Sequence, residues 1–401
     1  VRILATSSWF PYPPDNGIKL RMYNLLKRWA HNHEIALLAF ASSEVTASQL
    51  EALEPYCTWV QAVPRRSFRP HSLRACLGLL SPYPRSWVDT YSPEMRRLLN
   101  TVVQNQGFDL LLAFEFGTAP YAARMGSATP KVLDDLEMGV LRDQYRHAPN
   151  WLRRLRYGLT WLKTRRFVRR TLARFDGCTT VSEVERSIVL EVAPGFSPIE
   201  VVPNGVDVSW YQGEFGPPER DTLVFCGSLT WSANLDAMRF FLEQVYPLVK
   251  HRVPEVRVRI TGPSDRAQRD SLPADESVEF TGCLDDVRAA VARSWVSIAP
   301  MRVGGGTRLK ILEAMALGTP VVATYKGAEG LNVTAGANIL LADAPAMLAD
   351  HIVTLLRDVE LRERLAVAGQ RLVTAQYDWD VIAARAEAFL TQVARLKARH
   401  D

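Results

Sequence analysis

The densest group of chemistry-bearing positions in this chain is Gly304, Gly305, Gly306, Thr307, Arg308, Lys310 and Glu313. Three consecutive glycines let the backbone approach a ligand closely. The apolar run from Val296 to Pro300 reads as a buried strand leading into them. A helical pattern follows, with Leu309, Leu312, Met315 and Ala316 on one face, and Gly318 and Pro320 end it. Thr319–Ala323 then reads as a second buried strand. In such a unit, N–H groups near Gly306 and Thr307 point at an anion. Arg308 and Lys310 add positive charge, and Glu313, about two turns into the helix, is placed to hydrogen-bond hydroxyls. A diphosphate beside many hydroxyls is a sugar nucleotide. A glycine run alone is weak evidence, so the weight rests on the whole strand–loop–helix–strand segment.

Carboxylates form the second group. Glu115 follows a strand-like run at Leu110–Phe114, and Asp134 and Asp135 follow another at Lys131–Leu133. Such strand ends line the ligand crevice of an open α/β sheet, so Glu115 and Asp135 are acceptor-side candidates; a solvated or capping carboxylate is the competing reading. Glu329 lies after the second donor-segment strand, where it either touches ribose or sugar hydroxyls or caps its loop. The loop Phe10–Gly17 follows the first strand, and Gly17 opens a helix carrying Lys19 and Arg21, a further place for an anion.

Stepping outward, strands at Arg2–Ser7, Glu34–Ala41, Thr58–Val63 and Gly177–Val181 alternate with helices at Ile18–Ala30, Ser92–Asn105 and Glu183–Val192. The second half repeats the alternation: a strand at Leu223–Cys226, a helix at Leu235–His251, strands at Val256–Thr261 and Val278–Thr281, then the glycine segment. Alternating elements favour parallel, doubly wound sheets. From Leu348 onward the chain reads as helical, with breaks at Gly369 and Asp378, and Asp285-Asp286 reads as a helix N-cap. Turn signals at Pro203-Asn204-Gly205-Val206-Asp207 and the Gly213–Pro218 segment mark a domain boundary.

The stretch Gly306–Leu331, above all Lys310–Ala316 and Gly318–Val322, resembles the donor-site signature of the retaining family 4 (group 1) glycosyltransferases, which share the GT-B fold. The resemblance implies two Rossmann-like doubly wound domains facing across a cleft that holds the active site. An acceptor domain is expected at 1–203, with a last helix at about 382–401 packing back on it, and a nucleotide-sugar donor domain at 204–381. With the strand-end and loop readings above, the expected donor residues are Gly17, Gly227, Ser228, Gly304, Gly305, Gly306, Thr307, Glu313 and Glu329. Glu115, Asp135, Arg308 and Lys310 are the catalytic candidates. Front-face attack, with the diphosphate helping to take the acceptor proton, needs no metal and no other cofactor.

Two departures stand out. Many members carry two glutamates spaced E-x7-E; the second matches Glu313, and the first would fall at Gly305. Members often place an Arg and a Lys after the first glycine of the donor domain, where Cys226–Asn234 has Ser228 and Ala233. Two lost cations matter at a departing diphosphate, and Arg308 and Lys310 are expected to compensate in part. The first loop has Asn16 where the family usually has a second glycine, a residue that tolerates positive φ.

The expected activity is transfer of a hexose from a UDP- or GDP-sugar to a glycan or lipid-linked acceptor, in cell-envelope or exopolysaccharide synthesis. The alternatives are a nucleotide-sugar-binding protein with degraded catalysis and a GT-B sugar-nucleotide epimerase. Residues 142–174 hold 11 Lys or Arg and one acidic residue, Asp143, with Trp151, Leu155, Leu159 and Leu162 on one stripe. That suits an anionic membrane surface; a core-facing helix with a solvated basic side competes. Arg65, Arg66, Arg69 and Arg74 with Leu73 and Leu77 form a weaker patch. No recognition motif for nucleic acid accompanies them. The 401 residues are 47% hydrophobic and 23% charged with net charge +5, an ordinary globular balance. Five scattered cysteines favour a reduced, cytoplasmic setting, and the seven histidines show no zinc spacing, so no metal site is expected. The basic segment adds an expected peripheral position on the inner membrane face.

Overall fold

The computed structural model describes residues 1–126, 128–148 and 150–398. One position of the basic segment and the last three of the expected final helix therefore lie outside the described residues. The chain forms two compact units, Val1–Asn204 with Ile382–Asp401, and Gly205–Val381.

The first unit is built on seven parallel strands: β1 (Arg2–Ser7), β2 (Glu34–Ala41), β3 (Trp59–Pro64), β4 (Leu110–Phe114), β5 (Lys131–Asp134), β6 (Gly177–Thr180) and β7 (Ile199–Val201). Their spatial order is β3-β2-β1-β4-β5-β6-β7, so the winding reverses between β1 and β4. β1, β2 and β4 are buried along nearly their whole length, which explains why they read as continuous apolar runs. The helix Gly17–Trp29 buries Met22, Leu25, Leu26 and Trp29, one face at helical spacing. Asn16 caps it by accepting from the Lys19 N–H.

The second unit has six parallel strands: β8 (Glu219–Cys226), β9 (Arg257–Thr261), β10 (Val278–Gly282), β11 (Ser294–Ala299), β12 (Val321–Ala323) and β13 (Leu340–Leu341). The order β10-β9-β8-β11-β12-β13 puts the reversal between β8 and β11. Apolar clusters cover both faces, one around Phe225, Phe241 and Ile260, the other around Ile311, Met315 and Tyr377.

Several local expectations are corrected. The helix expected at Leu235–His251 starts at Ser232 and carries a π-turn at Phe241–Val245, just before Pro247, which has no N–H to donate. Gly369 breaks nothing: it lies inside the helix Val359–Gln376, where a Cβ would come within 3.0 Å of Met315 Cγ. The helix Arg288–Ala292 begins after Val287; Asp286 accepts from the Arg288 N–H and also pairs with the Arg288 guanidinium.

Candidate active sites

At the reversal of the second unit, two loops meet. The loop after β8 begins at Gly227, whose φ is +152°. A Cβ there would lie 2.7 Å from Asn234 Nδ2 and 2.9 Å from Lys310 Nζ. The loop after β11 contains Gly304 at φ +104° and Gly306 at +77°, both in the region that favours glycine. A Cβ on Gly304 would come within 3.2 Å of the Arg308 guanidinium and 3.6 Å of Ala233.

Arg308 and Lys310 take different parts. The Arg308 guanidinium, only 9% exposed, donates to the carbonyls of Gly305 (3.0 Å) and Gly304 (2.8 Å). It thus holds its own loop in shape. The helix Leu309–Ala316 begins after Arg308, and Glu313 is its fifth residue, little more than one turn in and not the two turns expected. Lys310 Nζ donates to Asn234 Oδ1 (2.9 Å) and sits 4.0 Å from the centre of the Phe225 ring. Burial pushes the Lys310 ammonium down to about 7, with the Arg308 charge acting the same way and Cys226 and Glu313 opposing. Burial raises Glu313 above the usual carboxylate range, against its hydrogen bond to Tyr211 and the Lys310 charge. A cation that gives up its proton near neutrality, among half-buried loops with glycine-lined backbone, is poised to take an anion and a proton together.

Ser228 shares a 2.6 Å hydrogen bond with Thr230 and donates to the Pro263 carbonyl, and Ala233 is buried. Glu329 is ion-paired to Lys326 three residues earlier, a loop-closing contact. Gly262, φ +109°, lets its backbone press against Gly227, with a Cβ only 2.8 Å from the Gly227 carbonyl carbon. Asn234, Tyr211 and Phe225 were not singled out by the sequence; the Asn that ends Cys226–Asn234 was its one available signal.

The first unit's reversal is acidic. Glu115 (φ +63°) and Asp135 (φ +60°) are both non-glycine residues in the left-handed region, directly after β4 and β5. Such backbone strain clusters at functional sites. The Glu115 N–H donates to the Asp134 carbonyl (2.9 Å), and the Asp135 N–H to Thr179 Oγ1 (3.0 Å). Burial, then the nearby Asp135 charge, pushes the Glu115 carboxyl up to about 8. Burial also raises Asp135, to about 6, while Arg21 opposes. One oxygen of each, Glu115 Oε1 and Asp135 Oδ1, is buried without a hydrogen-bond partner.

Arg21 is not available to an anion, contrary to the expectation for this helix. It is 1% exposed and donates to both Asp134 oxygens (2.8 and 2.7 Å), to the Val202 and Pro203 carbonyls, and to Asn204 Oδ1. Burial alone would lower its basicity, but Asp134 holds it above the ordinary value. Lys19 pairs with Asp15 four residues earlier (2.9 Å). Gly17 stands at the first position of the helix, after the Asn16 cap. Among the described residues, no group of three or more His, Cys, Asp or Glu is placed to hold a metal ion.

Comparison with known proteins fits this architecture. Residues 9–205 match the glycosyl transferase 4-like domain and residues 220–358 match the glycosyl transferases group 1. The chain belongs to the group 1 glycosyltransferases, and its two Rossmann-like units have the GT-B fold. A phosphatidyl-myo-inositol mannosyltransferase of Mycobacterium tuberculosis is 32% identical over 225 residues, 52% of this chain and 57% of that protein. A GDP-mannose-dependent alpha-(1-6)-phosphatidylinositol monomannoside mannosyltransferase of the same organism is 28% identical over 54% of this chain and 62% of its own length. The chain therefore spans little more than half the length of the curated relatives it matches. Among solved structures, Anabaena HepE in complex with UDP and glucose superposes with a TM-score of 0.63 at 16% identity, over 98% of this chain and 99% of that one. Sucrose-phosphate synthase from Thermosynechococcus elongatus gives 0.68 at 15% identity, over 98% and 99%.

Proposed function

We propose that this protein transfers a hexose from a nucleoside-diphosphate sugar to a glycan or lipid-linked acceptor, with retention at the anomeric carbon and without a metal. The carrying observation is Lys310, a half-buried cation beside Gly227 and Asn234 at the β8/β11 reversal. In this reading the diphosphate takes the glycine-lined loops and the Lys310 ammonium, which stabilises the charge that develops on the leaving group. Glu313 and its Tyr211 partner meet donor hydroxyls. Glu115, which holds its proton at neutral pH, and Asp135, which mostly does not, are a split pair of carboxyls suited to orienting an acceptor hydroxyl. The named mannosyltransferase relatives and the UDP-bound neighbour support a nucleotide-sugar donor of the UDP or GDP kind. A role in envelope or exopolysaccharide synthesis, at the inner membrane face, completes the reading.

Thermal melts with UDP-, GDP- and ADP-sugars, on wild type and Glu313→Ala, test it, since a ligand bound to the native state raises apparent stability by mass action. One nucleotide family should raise the melting temperature, and the variant should respond less. Flat melts throughout would overturn the donor assignment.

A further inference from the structure

The helix Trp151–Leu172 contains eight Lys or Arg and no Asp or Glu. Its first half lies open to solvent: Trp151 is 72% exposed, and Leu152, Leu155, Leu159 and Leu162 are exposed as well. A core-facing helix would have buried that stripe; this one buries only its far end, from Trp161 onward, at Phe167, Val168 and Leu172. A second exposed apolar group adjoins it. Leu73, Leu77 and Leu79 are exposed and Leu80 is 90% exposed, in a segment that also carries Arg74. Lys163 ties the two together by donating to the carbonyls of Gly78 (3.1 Å) and Leu79 (2.7 Å).

Next to this apolar face is a basin of about 590 Å³. Tyr83 and Phe167, in ring contact at 5.3 Å, are among its lining, and Arg96, Arg124, Arg170 and Arg174 surround it. No carboxylate lines it, and none of these four arginines is ion-paired among the described residues. Arg124 lies only over the Tyr83 and Tyr91 rings. Four unneutralised guanidinium groups around one hollow attract phosphate oxygens, which arginine binds in a bidentate fork.

We propose that this face docks on an anionic phospholipid surface, the leucines and Trp151 entering the acyl boundary and the arginine basin receiving a headgroup phosphate. The charge is complementary to such a surface, and exposed aliphatic side chains beside the basic groups match what an interfacial element requires. Nucleic acid would have no use for a leucine that is 90% exposed. The inference extends the lipid-linked acceptor reading but stands on binding alone. It places the enzyme where such an acceptor resides.

The test is co-sedimentation of the full chain with vesicles of phosphatidylcholine alone or mixed with phosphatidylglycerol, at low and high salt. Binding should require phosphatidylglycerol and weaken with salt. Arg170→Ala with Arg174→Ala should weaken it roughly fivefold per charge, and Leu79→Ser with Leu80→Ser should leave only the salt-sensitive part. All four positions are exposed, so the variants should melt like wild type and keep any stabilisation by nucleotide sugar. Equal binding to neutral vesicles, no binding to either, or unaltered binding by both variants overturns the proposal. Absent vesicle binding by wild type together with an intact donor response would sink this proposal alone and leave the transfer reading standing.

Discussion

The two units wind their strands in the same order up to the sixth, yet the residues at their reversals have opposite character. In the first unit, strained carboxyls crowd together at Glu115 and Asp135, and the buried cation, Arg21, is fully engaged by Asp134 and three further acceptors. In the second, the backbone is opened by glycines and the cation, Lys310, has one amide oxygen, the Met301 sulfur and a ring face for company. The same scaffold thus keeps one buried cation as structure and leaves the other under-coordinated. What separates them is direct pairing: Arg21 is ion-paired to Asp134, whereas Lys310 feels the Glu313 charge without an ion pair among the described residues.

That contrast is most easily broken at Arg21. Arg21→Met strands the Asp134 charge in the core and should cost about 3–5 kcal/mol in urea unfolding; a loss below about 1 kcal/mol would mean the pair is not the strut described. Lys310→Met should behave in the opposite way. Removing a cation whose ordinary basicity burial suppresses should leave stability equal or higher, while turnover drops about 10²–10³-fold. Because Lys310 titrates near 7 and an anion favours its charged form, donor affinity in wild type should fall as pH rises above about 7, and the variant should lose that dependence. Calorimetric titration across pH 6–9, taken as about neutral on either side, reads this directly.

The smallest expected effect is at Glu115. Its folded value, about 8, lies above the ordinary 4.5, so its contribution is fully present below about 4.5 and is lost as pH rises through 8. Glu115→Gln should therefore gain on wild type at alkaline pH, by about 2–4 °C for each kcal/mol relieved, and not at acid pH. Melting curves that stay parallel at both extremes would show that the carboxyl is not held protonated.

Much of this was legible in residue order. β1, β2 and β4 are buried on both faces and announce themselves as apolar runs, and the glycine segment reveals its loop because only glycine suits φ of +104° and +77° at Gly304 and Gly306. What stayed hidden depends on distance along the chain. Arg21 looked like a free cation because its partner stands 113 residues away. Arg308 looked like a ligand-facing charge because nothing in its spacing says that its guanidinium folds back on two carbonyls of its own loop. Gly369 read as a break because glycine at a helix end and glycine at a close helix contact look alike in sequence.

One feature of the connectivity bears on modularity. The second unit is a single uninterrupted stretch, whereas the first is made of two, completed by the helix Trp379–Ala398, where the Ala383 carbonyl accepts from Trp29 Nε1 and Arg385 pairs with Glu200. Where the stretch enters and leaves, Val206 donates to the Tyr377 carbonyl and accepts from the Trp379 N–H, so its two ends are already stitched side by side. Residues 205–381 are thus a cassette with adjacent joints, the geometry that tolerates insertion and exchange. A lineage, or an engineer, can replace residues 205–381 as one block by a single in-frame swap, because both joints lie side by side.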